Sequence, residues 1–125
     1  MQEPRIWYVN VFVSDLGQAI EFYGSTLGLA LRHEDREHGY ASFDAGPVGL
    51  GLAEVRGDSP EAPGLVGRHT GVGLGVADLA KAYEDLRRRG VRFTMPPQKQ
   101  PWGGFMATFS DPDGNVFYLD QLREE

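Results

Sequence analysis

Three histidines, no cysteine and a scatter of carboxylates are the raw material for chemistry in this chain of 125 residues. The absence of cysteine excludes thiolate catalysis, disulfides and Cys-ligated zinc or iron–sulfur sites. His33 and His38 flank the charged turn Glu34-Asp35-Arg36-Glu37, where both are expected to be exposed. His69 precedes Gly71 by two residues at the entry of an alternating segment, turned either to solvent or into a cleft. There is no His-x-His, no Glu-x-x-His and no set of nucleophile, base and orienting acid. Asn10, Asp44, Glu54, His69 and Asp120 are of the right types for acid–base work, but spacing fixes no pair among them.

A different pattern carries more information. Successive side chains of a strand point to opposite faces. Tyr8, Asn10 and Phe12 therefore share one face of the opening segment, and Trp7, Val9, Val11 and Val13 the other. The same alternation groups Gly71, Gly73 and Gly75, then Gly49, Gly51 and Ala53, then Val116, Tyr118 and Asp120. The opposite faces are large: Val72, Leu74 and Val76; Val48, Leu50 and Leu52; Phe117 and Leu119. Glycine weakens a strand and often marks close approach by a ligand or another backbone. Two arrangements satisfy this pattern. One is a hollow with aromatic walls, the way sites for planar organic molecules are built. The other is a packed interior in which Tyr8, Phe12 and Tyr118 fill the space the glycines leave. In Gln100-Pro101-Trp102-Gly103-Gly104-Phe105, Trp102 stands beside a Gly-Gly hinge, either stacking on a ligand as a lid or packing on a sheet edge.

Length and composition set the frame for these residues. The chain has the size of one ordinary domain, with 41% apolar and 24% charged residues, a globular balance. A net charge of −6 argues against nucleic acid and anionic membrane as partners, since both need basic surface. No apolar run approaches a membrane span, and the start Met1-Gln2-Glu3-Pro4-Arg5 lacks the order of a signal peptide, so a cytoplasmic location is expected.

The elements that position the two faces repeat. Val9, Val13, Asp15, Leu16 and Ala19 match Val72, Val76, Asp78, Leu79 and Ala82 at an offset of 63 residues. Two modules follow, about residues 5–57 and 68–122, joined by a turn-rich linker at about 57–67, in one domain spanning residues 1–125. Each opens with a strand that stops at an aspartate suited to N-capping, Asp15 with Gln18 three residues on, and Asp78. The helices carry the stripes Leu16, Ile20, Tyr23, Leu27 and Leu79, Ala82, Tyr83, Leu86, with Gly28 and Gly90 as C-caps. Strands are expected near 29–34, 40–45, 48–55, 91–95, 104–110 and 115–121, with Asp111-Pro112-Asp113-Gly114-Asn115 as a tight turn. Each module is therefore β-α-β-β-β.

This order, together with Val13-Ser14-Asp15-Leu16, Glu21-Phe22-Tyr23 with Leu27-Gly28, and the Asp-Pro-Asp-Gly-Asn turn, resembles the vicinal oxygen chelate superfamily. That superfamily includes glyoxalase I, extradiol dioxygenases and bleomycin-resistance proteins. The resemblance implies an α+β fold of two tandem βαβββ modules, whose curled mixed sheet surrounds a cleft with helices outside. Relatives resembling glyoxalase I take His, Glu, His and Glu as metal ligands. The matching positions here are Tyr8, Gly51, Gly71 and Tyr118, two phenols and two residues without side chains. Phenols hold their proton near neutrality and ligate divalent metals poorly. The Gly51 assignment can slip by one or two residues, which brings Glu54 into question. No metal and no cofactor are therefore expected.

The function these observations imply is metal-free binding of a small molecule, planar or cationic and antibiotic-like, by Tyr8, Asn10, Phe12, Gly51, Gly71, Gly73, Trp102, Phe105 and Tyr118. An enzyme of the same superfamily, a lyase, isomerase or dioxygenase with an unusual or metal-independent site, is the alternative. The resemblance also implies a homodimer.

Overall fold

The computed structural model describes residues 2–56 and 64–123. The chain forms two compact units, Met1–Val66 and Gly67–Glu125. Residues 57–63 of the expected linker lie outside the described residues.

In the first unit, strand β1 (Tyr8–Val13) leads into helix α1 (Leu16–Ile20), then strands β2 (Ala30–Asp35), β3 (Tyr40–Ala45) and β4 (Val48–Glu54). The sheet order is β1-β4-β3-β2, with β1 and β4 parallel and the other pairs antiparallel. A parallel pair needs a long crossover, and the helix and hairpin between β1 and β4 supply it. The second unit repeats the plan with β5 (His69–Val76), α2 (Leu79–Arg88), β6 (Arg92–Lys99), β7 (Phe105–Ser110) and β8 (Val116–Gln121), in the order β5-β8-β7-β6. This is an α+β fold of two βαβββ modules, and among the described residues neither sheet closes into a barrel. No helix among the described residues is long and apolar enough to cross a membrane.

The helix starts are built as the aspartates suggested. Asp15 Oδ1 accepts the Gln18 N–H at 3.0 Å, and Asp78 Oδ1 accepts the Lys81 N–H at 3.1 Å. Gly28 and Gly90 take positive φ, 85° and 92°, beyond the helix ends, where a side chain would be strained. Beyond Ile20 the first helix widens into a π-helical stretch, Glu21–Thr26, closed by the Leu27 N–H donating to Phe22 C=O at 2.9 Å. The regular stripe Leu16, Ile20, Tyr23, Leu27 did not predict this.

Helix and sheet bury one face of each unit. Val11, Val13, Leu16, Tyr23, Phe43, Leu50 and Leu52 form the first core. Leu79, Leu86, Ala107, Phe109, Phe117 and Leu119 form the second, with the Phe109 and Phe117 rings stacked at 5.4 Å. The large face of β5 is only half-buried at Val72, Leu74 and Val76. The turn after β7 ties the second unit together: buried Asp111 accepts the N–H groups of Asp113 and Asn115 at 2.9 and 2.8 Å. Asn115 Oδ1 in turn accepts those of Gly67 and Arg68 at 2.9 and 3.1 Å, which sets the entry to β5.

Candidate functional site

The open face of the first sheet forms three rows across four strands. Tyr8, Gly49, Asp44 and Ala30 make one row; Asn10, Gly51, Ser42 and His33 the next; Phe12, Ala53, Tyr40 and Asp35 the third. A groove of about 570 Å³ lies over the first two rows. Trp7 and Tyr8 wall one side, their rings edge to face with centroids 5.9 Å apart. Arg32 and His33 wall the other, and Gly49 and Ser42 line the groove between them.

Trp7 departs from the expected alternation. Its C=O accepts the Gly49 N–H at 3.0 Å, yet its side chain is 81% exposed beside the groove. Arg32 lies where the register of β2 shifts between Leu31 and His33. Such a bulge re-aims a side chain, and the guanidinium reaches Asp44 Oδ1 at 3.2 Å. Trp7, Arg32, Tyr40, Ser42 and Gly49 were not among the residues singled out for binding. No local pattern announces a bulge or a neighbour three strands away.

Of the expected residues, Tyr8, Asn10, Phe12 and Gly51 share this face, and Tyr8 borders the groove itself. Gly51 is buried rather than open. A Cβ there would collide with Asn10 Oδ1 and come within 2.7 Å of Tyr40 Oη, so these two side chains already use the space that the glycine leaves. Glu54 lies on the opposite face with Leu50 and Leu52, where its Oε2 accepts the Leu16 N–H at 2.8 Å. It is a helix-cap residue and does not stand beside Tyr8.

On the open face of the second sheet, Gly73, Tyr118, Thr108 and Met95 form one row and Gly75, Asp120, Met106 and Gln98 the next. Gly71 falls within a register shift of β5 and takes φ of 73°. Its N–H donates to His69 Nδ1 at 3.1 Å, and the His69 ring lies against that of Tyr118 with centroids 4.9 Å apart. Asp120 Oδ2 stands 3.0 Å from where a Gly73 Cβ would be. Burial pushes the Asp120 carboxyl above the usual carboxylate range, and Arg123 opposes this. Above Gly75 the Leu122 side chain takes the free space.

Trp102 sits on the turn between β6 and β7, 65% exposed, with its indole folded over Gly104. Phe105 is separated from the other residues expected to bind. Met106 pairs with Asp120 and Ala107 with Leu119, so Phe105 shares the helix-side face with Ala107 and Phe109.

The four positions that would carry metal ligands do not fit a divalent ion. Tyr8 and Tyr118 offer phenols, Gly71 offers nothing, and the space at Gly51 is taken by Asn10 and Tyr40. Among the described residues no three of His, Cys, Asp and Glu gather closely enough to hold a metal. His38 Nδ1 contacts Asp35 Oδ2 at 2.9 Å in the hairpin turn.

A sequence profile of the Glyoxalase/Bleomycin resistance protein/Dioxygenase superfamily matches residues 5–119. An uncharacterized protein of Bacillus subtilis, YraH, is 31% identical, with 94% of this chain and 98% of that protein covered. The solved structure of a superfamily member from Sphaerobacter thermophilus is similar with a TM-score of 0.84 and 30% identity, covering 96% of this chain and 98% of its own. TnmS3, an antibiotic binding protein from a Streptomyces species, is similar with a TM-score of 0.79 and 32% identity, covering 98% and 99%.

Proposed function

The chain belongs to the glyoxalase, bleomycin-resistance and dioxygenase superfamily, and from that premise we propose that it is a metal-free binding protein for a planar or cationic, antibiotic-like small molecule. The observation that carries this reading is the groove of about 570 Å³ with Trp7 and Tyr8 exposed along one wall. That volume is in the range of small-molecule sites, which combine aromatic walls with a few placed polar groups. An antibiotic-binding relative at 32% identity supports the same class of ligand. In this reading Tyr8, Asn10, Phe12 and Gly51 shape the face in the first unit. Gly71, Gly73 and Tyr118 shape that in the second, and Trp102 stacks as a lid. Residues 1–125 act as one domain, and the protein works in the cytoplasm as a homodimer.

The test uses the two tryptophans. In the unmodified protein the indole fluorescence reports on both. Planar tricyclic compounds and the cationic acridine proflavine should quench it saturably and be recovered unchanged. If no compound gives saturable quenching at millimolar concentration, the binding reading fails.

One observation favours enzymatic acid–base chemistry instead: Asp120, its carboxyl held above the usual range, lies beside Gly73 and Gly75 on an open face. Carboxyl groups are among the side chains that transfer protons in active sites. Conversion of a bound compound that stops on Asp120→Asn, with binding retained, would establish this second reading.

A further inference from the structure

We infer that the ligand of the first unit's groove is an uncharged planar molecule presenting a hydrogen-bond donor beside an acceptor to the Arg32–Asp44 pair. This narrows the binding reading above and rests on it. The pair stands across the groove from Trp7 and Tyr8, its groups 3.2 Å apart and more than half exposed. Its charges cancel. A cationic ligand at Asp44 also meets the charge of Arg32, and an anionic one at Arg32 that of Asp44, so the attraction of each is offset. An uncharged edge with a carbonyl next to an N–H or O–H engages both groups without parting them. The guanidinium has N–H donors beyond those facing Asp44, and the carboxylate has further lone pairs. Ser42 and His33 continue the polar wall along the next row.

The dimensions indicate the size of the ring system. Strands lie about 4.8 Å apart, so the three spacings from β1 to β2 span about 14 Å, room for two or three fused rings. Gly49 keeps the middle flat. A Cβ there would meet nothing closer than Tyr8 Cβ at 3.6 Å, and its φ is not in the left-handed region. Neither packing nor backbone therefore demands glycine at this position, whereas a flat ligand lying on the sheet does.

The experiment compares four tricycles of one shape on the protein with both tryptophans intact: phenanthridin-6-one (uncharged, N–H beside C=O), N-methylphenanthridinium (cationic), phenanthrene-9-carboxylate (anionic) and phenanthrene. Phenanthridin-6-one should bind about tenfold or more tighter than the other three, the scale of hydrogen bonds to charged groups. Asp44→Ala should shift the preference to the carboxylate and Arg32→Ala to the cation, because each leaves its partner's charge unopposed. The double variant should remove all preference. Both residues are exposed, so melting curves should confirm that the variants fold. Gly49→Leu should abolish binding of all four. If the compounds bind but their order ignores residues 32 and 44, or Gly49→Leu leaves binding unchanged, this inference is overturned while the binding reading stands. If none of the four nor proflavine binds, the binding reading itself has failed.

Discussion

Glu54 Oε2 accepts the backbone N–H of Leu16 at 2.8 Å, so the last residue of β4 caps the helix that follows β1. The second unit repeats the device with an uncharged side chain: Gln121 Oε1 accepts the Leu79 N–H at 2.8 Å. The bond from the Leu16 N–H, with help from Arg56 at 3.0 Å, holds the Glu54 carboxyl below the usual carboxylate range. A depressed native pKa means the stabilisation is present above the ordinary glutamate range. It is lost as pH falls through the lower, folded value. Wild-type protein should therefore lose stability on acidification below about pH 4, and Glu54→Gln should flatten that part of the profile. Glu54→Ala should destabilise at neutral pH by about 1 kcal/mol, the usual scale of a lost helix cap. Thermal melts of the three proteins across pH test both statements. A Glu54→Gln profile identical to wild type would refute the assignment.

Gly73 and Gly71 should respond oppositely to valine. At Gly73 the new Cβ meets only Asp120 Oδ2 at 3.0 Å and Tyr118 Cβ at 3.8 Å, and a flexible carboxylate can swing aside. Gly73→Val should keep the fold, since valine suits strands better than glycine. Gly71 has φ of 73°, so Gly71→Val should cost about 1–3 kcal/mol in backbone strain although the space around it is open. Truncating a core residue such as Leu119→Ala should cost about 2–5 kcal/mol and sets the scale. Urea unfolding of the three variants decides the order. A Gly73→Val protein as weakened as Leu119→Ala would show that this face has no room to spare.

Asp111 is buried at 2% exposure and accepts hydrogen bonds from the backbone N–H groups of Asp113 and Asn115 and from Asn115 Nδ2, the last at 2.9 Å. Asp111→Ala leaves those donors without their acceptor and should destabilise by about 2–4 kcal/mol. Asn115→Ala should loosen the entry to β5 as well. Hydrogen exchange would then be faster at Gly67 and Arg68, whose N–H groups donate to Asn115 Oδ1. Unchanged exchange at these two amides would remove Asn115 from that role.

On the proposed metal-free reading, in which Tyr8, Gly51, Gly71 and Tyr118 hold no metal, chelation should leave the melting temperature where it is. A fall of several degrees in strong chelator, restored by one divalent metal, would show a site elsewhere.

Light scattering at micromolar concentration should give twice the chain mass of 13.8 kDa. A mass of one chain would contradict the homodimer.

Local signals made much of this protein legible in advance. The repeat between Val9–Ala19 and Val72–Ala82, the capping aspartates Asp15 and Asp78, the C-cap glycines and the Asp111–Asn115 turn act between near neighbours in the chain. Their physics is complete within a few residues, so the sequence alone determined the two βαβββ modules and which face of β1 is buried. The site depended on relations across strands. Whether Gly51 is open or covered is decided by Asn10 on β1 and Tyr40 on β3, both distant in sequence. Glu54 caps a helix because the parallel register sets it beside Val13, next to the start of α1. Phe105 lies on the helix side of its sheet because β7 pairs with β8 as it does, and Arg32 lines the groove through one irregularity in β2. Register is a collective outcome of many cross-strand contacts, and a shift of one residue sends every side chain to the other face. Only the folded sheet decides it.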